Sequence, residues 1–359
     1  KRVEIPKDNG KMRLLGIPTV VDRLVQQAIN QVLTPIYENQ FSKTSYGFRP
    51  RRGCHDALRG AQRIINEGYI YVVDLDLERF FDTVSHSKLI EILSRTIKDG
   101  RVVSLIHKYL RSGVMNKGLF EASEEGTPQG GPLSPLLSNI MLNELDKELE
   151  RRGLPFVRYA DDSMIFCKSK RAAMRVKESI TRFIENVLYL KVNKEKTVVS
   201  YVRGVKYLGY SFYVMKGKCQ LTVHPKSKAN MKSKLKGLTS RSNGWGYANR
   251  KQKLKEYIRG WVGYYHLANM KRFLLETDEW LRRRIRMCIW KAWKKVKTKV
   301  ANLIRCGINK YKAYEWGNTR KGYWHIANSP ILATAISNNN LRAAGYATLM
   351  GTYLEWHPK

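Results

Sequence analysis

Asp161 and Asp162 stand side by side within Pro155 to Cys167, and apolar residues rise on both sides of them. The pattern reads as strand, tight turn, strand, with both carboxylates at the tip. Adjacent carboxylates repel each other, and a divalent ion that prefers hard oxygen ligands, such as Mg²⁺, removes that cost. An isolated Asp-Asp pair is more often a plain surface turn, because Asp is a favoured turn residue. A second acidic strand upstream changes the reading. Tyr69 to Asp82 begins β-branched and aromatic, then alternates Asp74-Leu75-Asp76-Leu77, so Asp74 and Asp76 share one face. Beside the hairpin, Asp76 and Asp161 can hold two Mg²⁺ between them, an arrangement that performs in-line displacement at phosphorus. The chemistry implied is nucleotidyl transfer.

Arg158 to Asp162, taken with Asp76 through Asp82, resembles the catalytic blocks of reverse transcriptases. Gly126 to Leu137, which contains Gly126-Thr127-Pro128-Gln129-Gly130-Gly131, resembles another block of that family. Leu14 to Arg23 and Tyr46 to Leu58 point to its group II intron branch, the intron-encoded reverse transcriptase/maturases. Five blocks in the family's order cover roughly the first 210 residues. The resemblance implies an α+β fold of right-hand polymerase architecture. Residues 1–68 would be fingers, lacking an N-terminal block that relatives carry further upstream. Residues 69–85 would be the first catalytic strand of the palm, 86–125 helices of fingers and palm, and 126–222 the rest of the palm. Residues 223–310 would be the helical thumb or maturase domain X, and 311–359 a short C-terminal region.

The same resemblance implies an RNA-directed DNA polymerase of a mobile group II intron. Its partners would be dNTPs, a DNA primer or target, an RNA template, and the intron RNA that it helps to splice and retrohome. Asp76 and Asp161 would hold two Mg²⁺ with the Leu77 carbonyl as a further ligand, and Asp162 would join the metal-facing acids and shape the field. Lys196 would protonate the leaving pyrophosphate, or serve as an ordinary phosphate-facing lysine. Lys7 and Arg13 would meet the triphosphate, and Gln129 would lie near the incoming nucleotide. Phe81 would lie under the sugar and exclude a 2′-hydroxyl; the alternative is a core phenylalanine like Phe80. Arg49, Arg51 and Arg52 would contact phosphate or form a surface salt-bridge cluster. A hairpin over Val205–Phe212, with Tyr207, Leu208 and Gly209, would grip the primer end. Glu78-Arg79 stand where the family commonly shows Lys-Gly or similar, and Ser85 replaces a frequent acid; neither is a metal ligand. Two other readings stay open: an RNA-binding splicing maturase with incidental polymerase activity, and a CRISPR-associated relative.

The elements that must position these residues follow from periodicity. Val20 to Tyr37 carries apolar residues at helical spacing (Val21, Leu24, Val25, Ala28, Ile29, Val32, Leu33), expected to face the core. Helices are expected over Cys54–Glu67, His86–Lys98, Arg101–Leu110 and Arg171–Leu188. Another starts at Ser134 with Pro135 in its first turn. Trp280 to Val296 reads as an amphipathic helix with the stripe Leu281, Ile285, Cys288, Ile289, Ala292 and Val296. Arg282, Arg283 and Arg286 on it are expected to meet nucleic acid.

Charge supports a polyanion partner. The chain has 66 Lys+Arg against 30 Asp+Glu, a net of +36. Residues 201–359 hold 33 of the basic residues and only 6 acidic ones, and all eight tryptophans lie at or beyond Trp245. Such a field favours nucleic acid. No apolar run approaches the roughly 18 residues that span a bilayer, and no signal-peptide pattern occurs, so no membrane partner is expected. The five widely spaced cysteines suggest reduced thiols in a cytosolic compartment, a bacterial cytoplasm by the family resemblance, and they form no zinc ribbon or Cys/His-rich endonuclease module.

Overall fold

The computed structural model describes residues 2–6, 10, 12–116, 119–121, 124–127 and 130–358. A hairpin of β1 (Arg2–Pro6) and β2 (Met12–Gly16) leads into α1 (Val20–Glu38) and α2 (Cys54–Asn66). Strand β3 (Tyr71–Leu75) is followed by α3 (Phe80–Thr83), α4 (His86–Thr96), α5 (Gly100–Arg111) and a short hairpin, β4 (Val114–Asn116) and β5 (Leu119–Glu121). Helix α6 (Ser134–Arg151) precedes β6 (Phe156–Tyr159) and β7 (Asp162–Cys167), and α7 (Lys170–Asn186) precedes β8 (Val198–Tyr201). A last hairpin, β9 (Tyr210–Met215) and β10 (Lys218–Val223), opens a helical region. It comprises α8 (Pro225–Leu238), α9 (Tyr247–Tyr265), α10 (Lys271–Ala292), α11 (Val296–Arg305), α12 (Lys310–Gly317), α13 (Tyr323–Ile326), α14 (Pro330–Ala335), α15 (Asn338–Ala343) and α16 (Leu349–Glu355). The chain divides into two compact units, Lys1–Leu208 with Phe212–Cys219, and Gly209–Ser211 with Gln220–Lys359.

The first unit is an α+β body around a four-stranded antiparallel sheet in the order β6-β7-β3-β8. Side chains alternate across a strand, and β3 uses this directly. Val73, Leu75 and the following Leu77 enter the main core, with Leu137, Ile140, Met141 and Leu145 of α6 and Ile180 and Ile184 of α7. Asp74 and Asp76 therefore fall on the opposite face. The helices predicted over His86–Lys98, Arg101–Leu110 and Arg171–Leu188 form within two residues of those bounds. Ser134 opens α6 with Pro135 behind it, but it is the first helical residue and not the cap.

Three expectations are corrected. Helix α1 does not bury its whole apolar stripe: Leu33 and Tyr37 are buried, while Val20, Val21, Leu24 and Val32 are 65 to 72% exposed. The apolar residues cover both sides of this helix, and the side carrying Leu33 and Tyr37 is the one that is buried. Periodicity identifies a helix but cannot choose between two apolar faces. The helix expected at 280–296 instead begins at Lys271 and stops at Ala292, because Leu274, Thr277 and Asp278 continue the buried face of Leu281, Ile285 and Cys288. Val296 belongs to α11 and is exposed. The hairpin expected over 205–212 lies at 210–223; Leu208 (φ 48°) and Gly209 (φ 82°) form a left-handed turn before it.

In the second unit, α9 and α10 pack against α16. The buried Asp278 carboxylate on α10 accepts from the Leu349 and Met350 N–H groups at 2.8 and 2.9 Å, satisfying the first donors of α16. The Tyr353 hydroxyl donates to the Ala268 carbonyl at 3.0 Å. Among the described residues no helix is long and apolar enough to cross a membrane. Asp278→Ala should strand one buried and one partly buried donor and cost about 2 kcal/mol. The expected readout is a lowered Tm with faster amide exchange at Leu349 and Met350; unchanged exchange there would contradict the anchoring role.

In the first unit, buried His86 at the start of α4 donates from Nε2 to the Gly126 carbonyl at 2.6 Å. Burial pushes its pKa below the ordinary histidine value; the nearby charges of His107 and Arg111 add to this, while the Gly126 carbonyl and Glu125 oppose it. A histidine depressed in the fold contributes stability that is present above its unfolded pKa and fades as pH falls toward the folded value. His86→Gln keeps an amide donor without titrating. The variant should therefore lose less Tm than the wild type between about pH 7 and pH 5, measured by thermal melting across that range.

Candidate active site

Asp161 sits on a two-residue turn. Strands β6 and β7 pair Tyr159 with Asp162, so Ala160 and Asp161 reverse the chain. Ala160 takes φ 57°, a left-handed conformation that a side chain with a Cβ adopts only where the surroundings impose it. Those surroundings are a buried network. Arg158, with no exposed side-chain area, donates from Nε and Nη2 to the Asp146 carboxylate of α6 at 2.8 and 2.5 Å. Its Nη1 donates to Asn139 Oδ1 at 2.9 Å and to the Ala160 carbonyl at 3.0 Å. Asn139 in turn donates to the Gly47 carbonyl at 2.9 Å. A Cβ at Gly47 would collide with the Ala160 backbone, so the 44–47 segment lies directly behind the tip. Tyr46 N–H donates to the Arg158 carbonyl, and Arg158 N–H to Thr44.

Strand register carries Asp76 to the same place. Leu75 pairs with Ser163, so one residue further Asp76 comes opposite Asp162. Beyond the end of β3 the chain is held by residues 191–193: Glu78 N–H donates to the Lys191 carbonyl at 2.8 Å, and Asn193 N–H to the Asp76 carbonyl at 2.9 Å. Leu77 bridges Val192 between these two bonds. In such a pair the central residue turns its own N–H and C=O away from the partner, so the Leu77 carbonyl points off the 191–193 segment, as a metal ligand there would require. The Thr197 hydroxyl meets the Asp76 backbone. Lys196 Nζ lies 3.2 Å from Asp76 Oδ2, which puts the predicted proton donor at the predicted metal ligand.

The carboxylates feel one another strongly. Asp162 is pushed up to about 6, first by burial and then by Asp161 and Asp76, with Lys206 and Lys196 opposing. Asp74 is likewise pushed up to about 6 by burial, then by Asp162 and Asp76. Four acids from two strands thus make a site whose charge is unfavourable as it stands. Carboxylate and carbonyl oxygens are the donors that Mg²⁺ prefers. Among the described residues no three His, Cys, Asp or Glu side chains are grouped closely enough to hold an ion already; Lys196 supplies the positive charge at Asp76.

Phe80 enters the core, while Phe81 is half-buried and meets it edge-on at 5.3 Å. Thr127 N–H donates to the Phe81 carbonyl at 2.6 Å, and a Cβ on Gly126 (φ 88°) would press into the carbonyls of Phe81 and Asp82. Gly126 and Thr127 are thereby locked onto the Phe81 backbone. Lys7 and Gln129 lie outside the described residues, and of Arg13 only the strand backbone, paired with Ile5, is described. Arg49 faces inward: its buried guanidinium bonds the Glu38 carboxylate at 2.6 Å and the Ser42 and Ser45 carbonyls. Arg52 donates to the Lys43 and Ser45 carbonyls, and Arg51 is exposed. Tyr207 is buried. In the second unit, Arg283 donates to the Trp324 carbonyl and Arg286 to the Ile336 carbonyl and Asn338. The sequence reading missed the partners of Arg158. Asp146 and Asn139 lie on α6 among residues of similar type, and no spacing marks them as a network.

Comparison with known proteins agrees with this geometry. The family model for reverse transcriptase (RNA-dependent DNA polymerase) matches residues 5–212, and that for the group II intron maturase-specific domain matches residues 228–307. Protein YkfC of Escherichia coli K12 is 37% identical over 249 residues, covering 58% of this chain and 65% of that protein. The group II intron-encoded protein LtrA of Lactococcus lactis subsp. cremoris is 33% identical over 280 residues, covering 60% of this chain and 47% of LtrA. The chain thus spans about half to two thirds of the length of these relatives. The apo telomerase of Candida tropicalis, at 14% identity, a TM-score of 0.50 and coverage of 100% of this chain and 67% of that one, shares the fold alone. The chain belongs to the reverse transcriptase family, in the branch of the group II intron-encoded reverse transcriptase/maturases.

Proposed function

We propose that this chain is an RNA-directed DNA polymerase, adding dNTPs to the 3′-hydroxyl of a primer on an RNA template. The observation that carries this reading is the β3–β7 register, which sets Asp76 opposite the Asp161–Asp162 tip. Two Mg²⁺ held by Asp76, Asp161 and the Leu77 carbonyl would supply activation of the attacking oxygen and stabilisation of the leaving one. The protein's own part is to present these oxygens on rigid strands. Asp162, its charged form disfavoured by burial and by Asp161 and Asp76, would tune the field around them. Lys196, at Asp76, is the group from which the departing pyrophosphate would take a proton or a neutralising charge. Phe81, fixed through its carbonyl by Thr127, is the candidate for excluding a 2′-hydroxyl. Lys7, Arg13 and Gln129 would complete the dNTP site; Leu208 and Gly209 would meet the primer end, whereas Tyr207, expected there too, is buried.

The match over 228–307 to a maturase-specific domain, and the net +27 of residues 201–359, favour a second role on the same chain. That role is binding of an intron RNA to assist its splicing and mobility. Polymerase and maturase roles separate experimentally. With an RNA template, primer, dNTPs and Mg²⁺, the wild type should extend the primer, while Asp161→Ala should lose roughly 10³-fold in rate and retain RNA binding. A wild type that binds RNA but does not extend would leave only the maturase role. Phe81→Ala should raise ribonucleotide incorporation relative to deoxynucleotide by roughly tenfold or more; an unchanged ratio would return Phe81 to a packing role.

A further inference from the structure

We propose that α10 and the C-terminal segment around residues 324–339 together form a groove for single-stranded RNA. The inference rests on the reverse transcriptase/maturase reading, and it gives a role to residues beyond the 228–307 maturase match. A cavity of about 620 Å³ opens between Arg282, Arg283 and Arg286 on α10 and Asn328, Ser337 and Asn338 on the facing segment. That volume is typical of clefts that hold small organic groups, and a nucleotide is of this class.

One wall is cationic and prearranged. Arg283 donates from Nε and Nη2 to the Trp324 carbonyl at 3.3 and 3.0 Å, and Arg286 donates from Nε to the Ile336 carbonyl at 2.8 Å and from Nη2 to Asn338 Oδ1 at 2.9 Å. These partners are neutral oxygens, so they orient the guanidiniums without cancelling their charge. Glu279 also lines the groove, one acid against three guanidiniums. Burial, and then the neighbouring charge of Arg282, disfavours the charged form of Arg286, a strain that a phosphate between them would relieve.

The other recognition element is a stacking surface. It adjoins the cavity through Arg283, which lines it: the Arg283 guanidinium lies 3.7 Å from the Trp324 ring centroid, and Trp324 remains 38% exposed. A stacked Arg–Trp pair is rigid and presents a planar face, and unpaired bases stack on aromatic rings and guanidinium planes. A base held in a duplex cannot offer its face to such a wall, so the groove suits an unstacked strand. Asn328, Ser337 and Asn338 line the facing side. Asn338 Oδ1 already accepts from Arg286, and Ser337 Oγ from the Asn340 N–H. The amide N–H groups and the Ser337 hydroxyl proton are therefore the donors offered to a 2′-hydroxyl, the group that distinguishes RNA from DNA.

The test uses the full chain and a short oligouridine carrying 4-thiouridine. Irradiation should give an adduct that maps to the peptide containing Tyr323 and Trp324. Trp324→Ala should remove that adduct and weaken binding of the oligonucleotide roughly tenfold, while Trp324→Phe should restore most of the affinity. Arg282→Ala should reduce the slope of log K against log salt by about 0.7, one phosphate contact on a single strand. DNA of the same sequence and duplex RNA should bind more weakly. Adducts confined to other peptides would overturn the groove. So would unchanged affinity and slope in folded variants, or equal binding of DNA, duplex RNA or phosphatidylserine vesicles. Primer extension by the same preparations separates the causes: extension without the adduct removes the groove alone, whereas absent extension removes the polymerase reading beneath it.

Discussion

The active-site geometry hangs on one buried ion pair. Arg158 and Asp146 are both fully enclosed, and enclosing two charges costs several kcal/mol each unless every polar atom is used. Here the geometry is bidentate, and the remaining Nη1 is divided between Asn139 and the Ala160 carbonyl. Removing either partner would leave an uncompensated buried charge, a loss of about 3–5 kcal/mol by comparison with similar pairs. The pair does more than hold α6 to the sheet. It grips the carbonyl of the residue with the strained φ, so it fixes where the Asp161 carboxylate must project. Gly47 completes the constraint from behind, because any side chain there would displace the turn.

Once the tip is fixed, register does the rest. An antiparallel pairing shifted by one residue would turn Asp74 and Asp76 into the core and Leu75 out, which the apolar helices α6 and α7 forbid. Burial of Val73, Leu75 and Leu77 therefore selects the alignment that crowds Asp74, Asp76 and Asp162. The hydrophobic effect thus helps to hold mutually repelling carboxylates together, and the raised pKa values of Asp74 and Asp162 are the cost it sustains. This is the electrostatic condition in which a divalent cation binds with most effect.

This division explains what could be read from the chain alone. The strands, the hairpin tip and most helices were legible because each is written in local periodicity: Asp74-Leu75-Asp76-Leu77 declares its two faces without reference to anything distant. The clustering of Asp76 with Asp161 and Asp162 needed one further step, the pairing of two strands, and the motif resemblance supplied it. The rest is tertiary. Whether Val21 or Leu33 is the inner face of α1 depends on where α6 lies, and both faces read alike. Arg49 was expected to contact phosphate or join a surface salt-bridge cluster with Arg51 and Arg52; it does form a salt bridge, but Glu38, eleven residues away, draws it inside. Arg158 and Asp146 carry no spacing rule at all. The start of α10 moved because Thr277 and Asp278, polar by type, are buried, Thr277 bonding back to the Phe273 carbonyl and Asp278 anchoring α16.

The second unit inverts the electrostatic problem. Its cations far outnumber its acids, and the fold manages them with neutral partners: Arg284 on Thr239 and the Lys236 carbonyl, Lys291 on the Arg241 carbonyl, Arg283 on Trp324. Carbonyl oxygens and aromatic faces orient a cation while leaving its net charge in place, whereas carboxylates would cancel it. A sequence under selection for stability alone would gain from scattering Asp and Glu among these helices. Their near absence from Glu195 to Glu256 instead preserves a field directed at a polyanion. The same chain thus holds concentrated negative charge where a metal ion would neutralise it and dispersed positive charge where nucleic acid would. Each imbalance is an unfavourable term for the isolated protein that its ligand converts into binding energy.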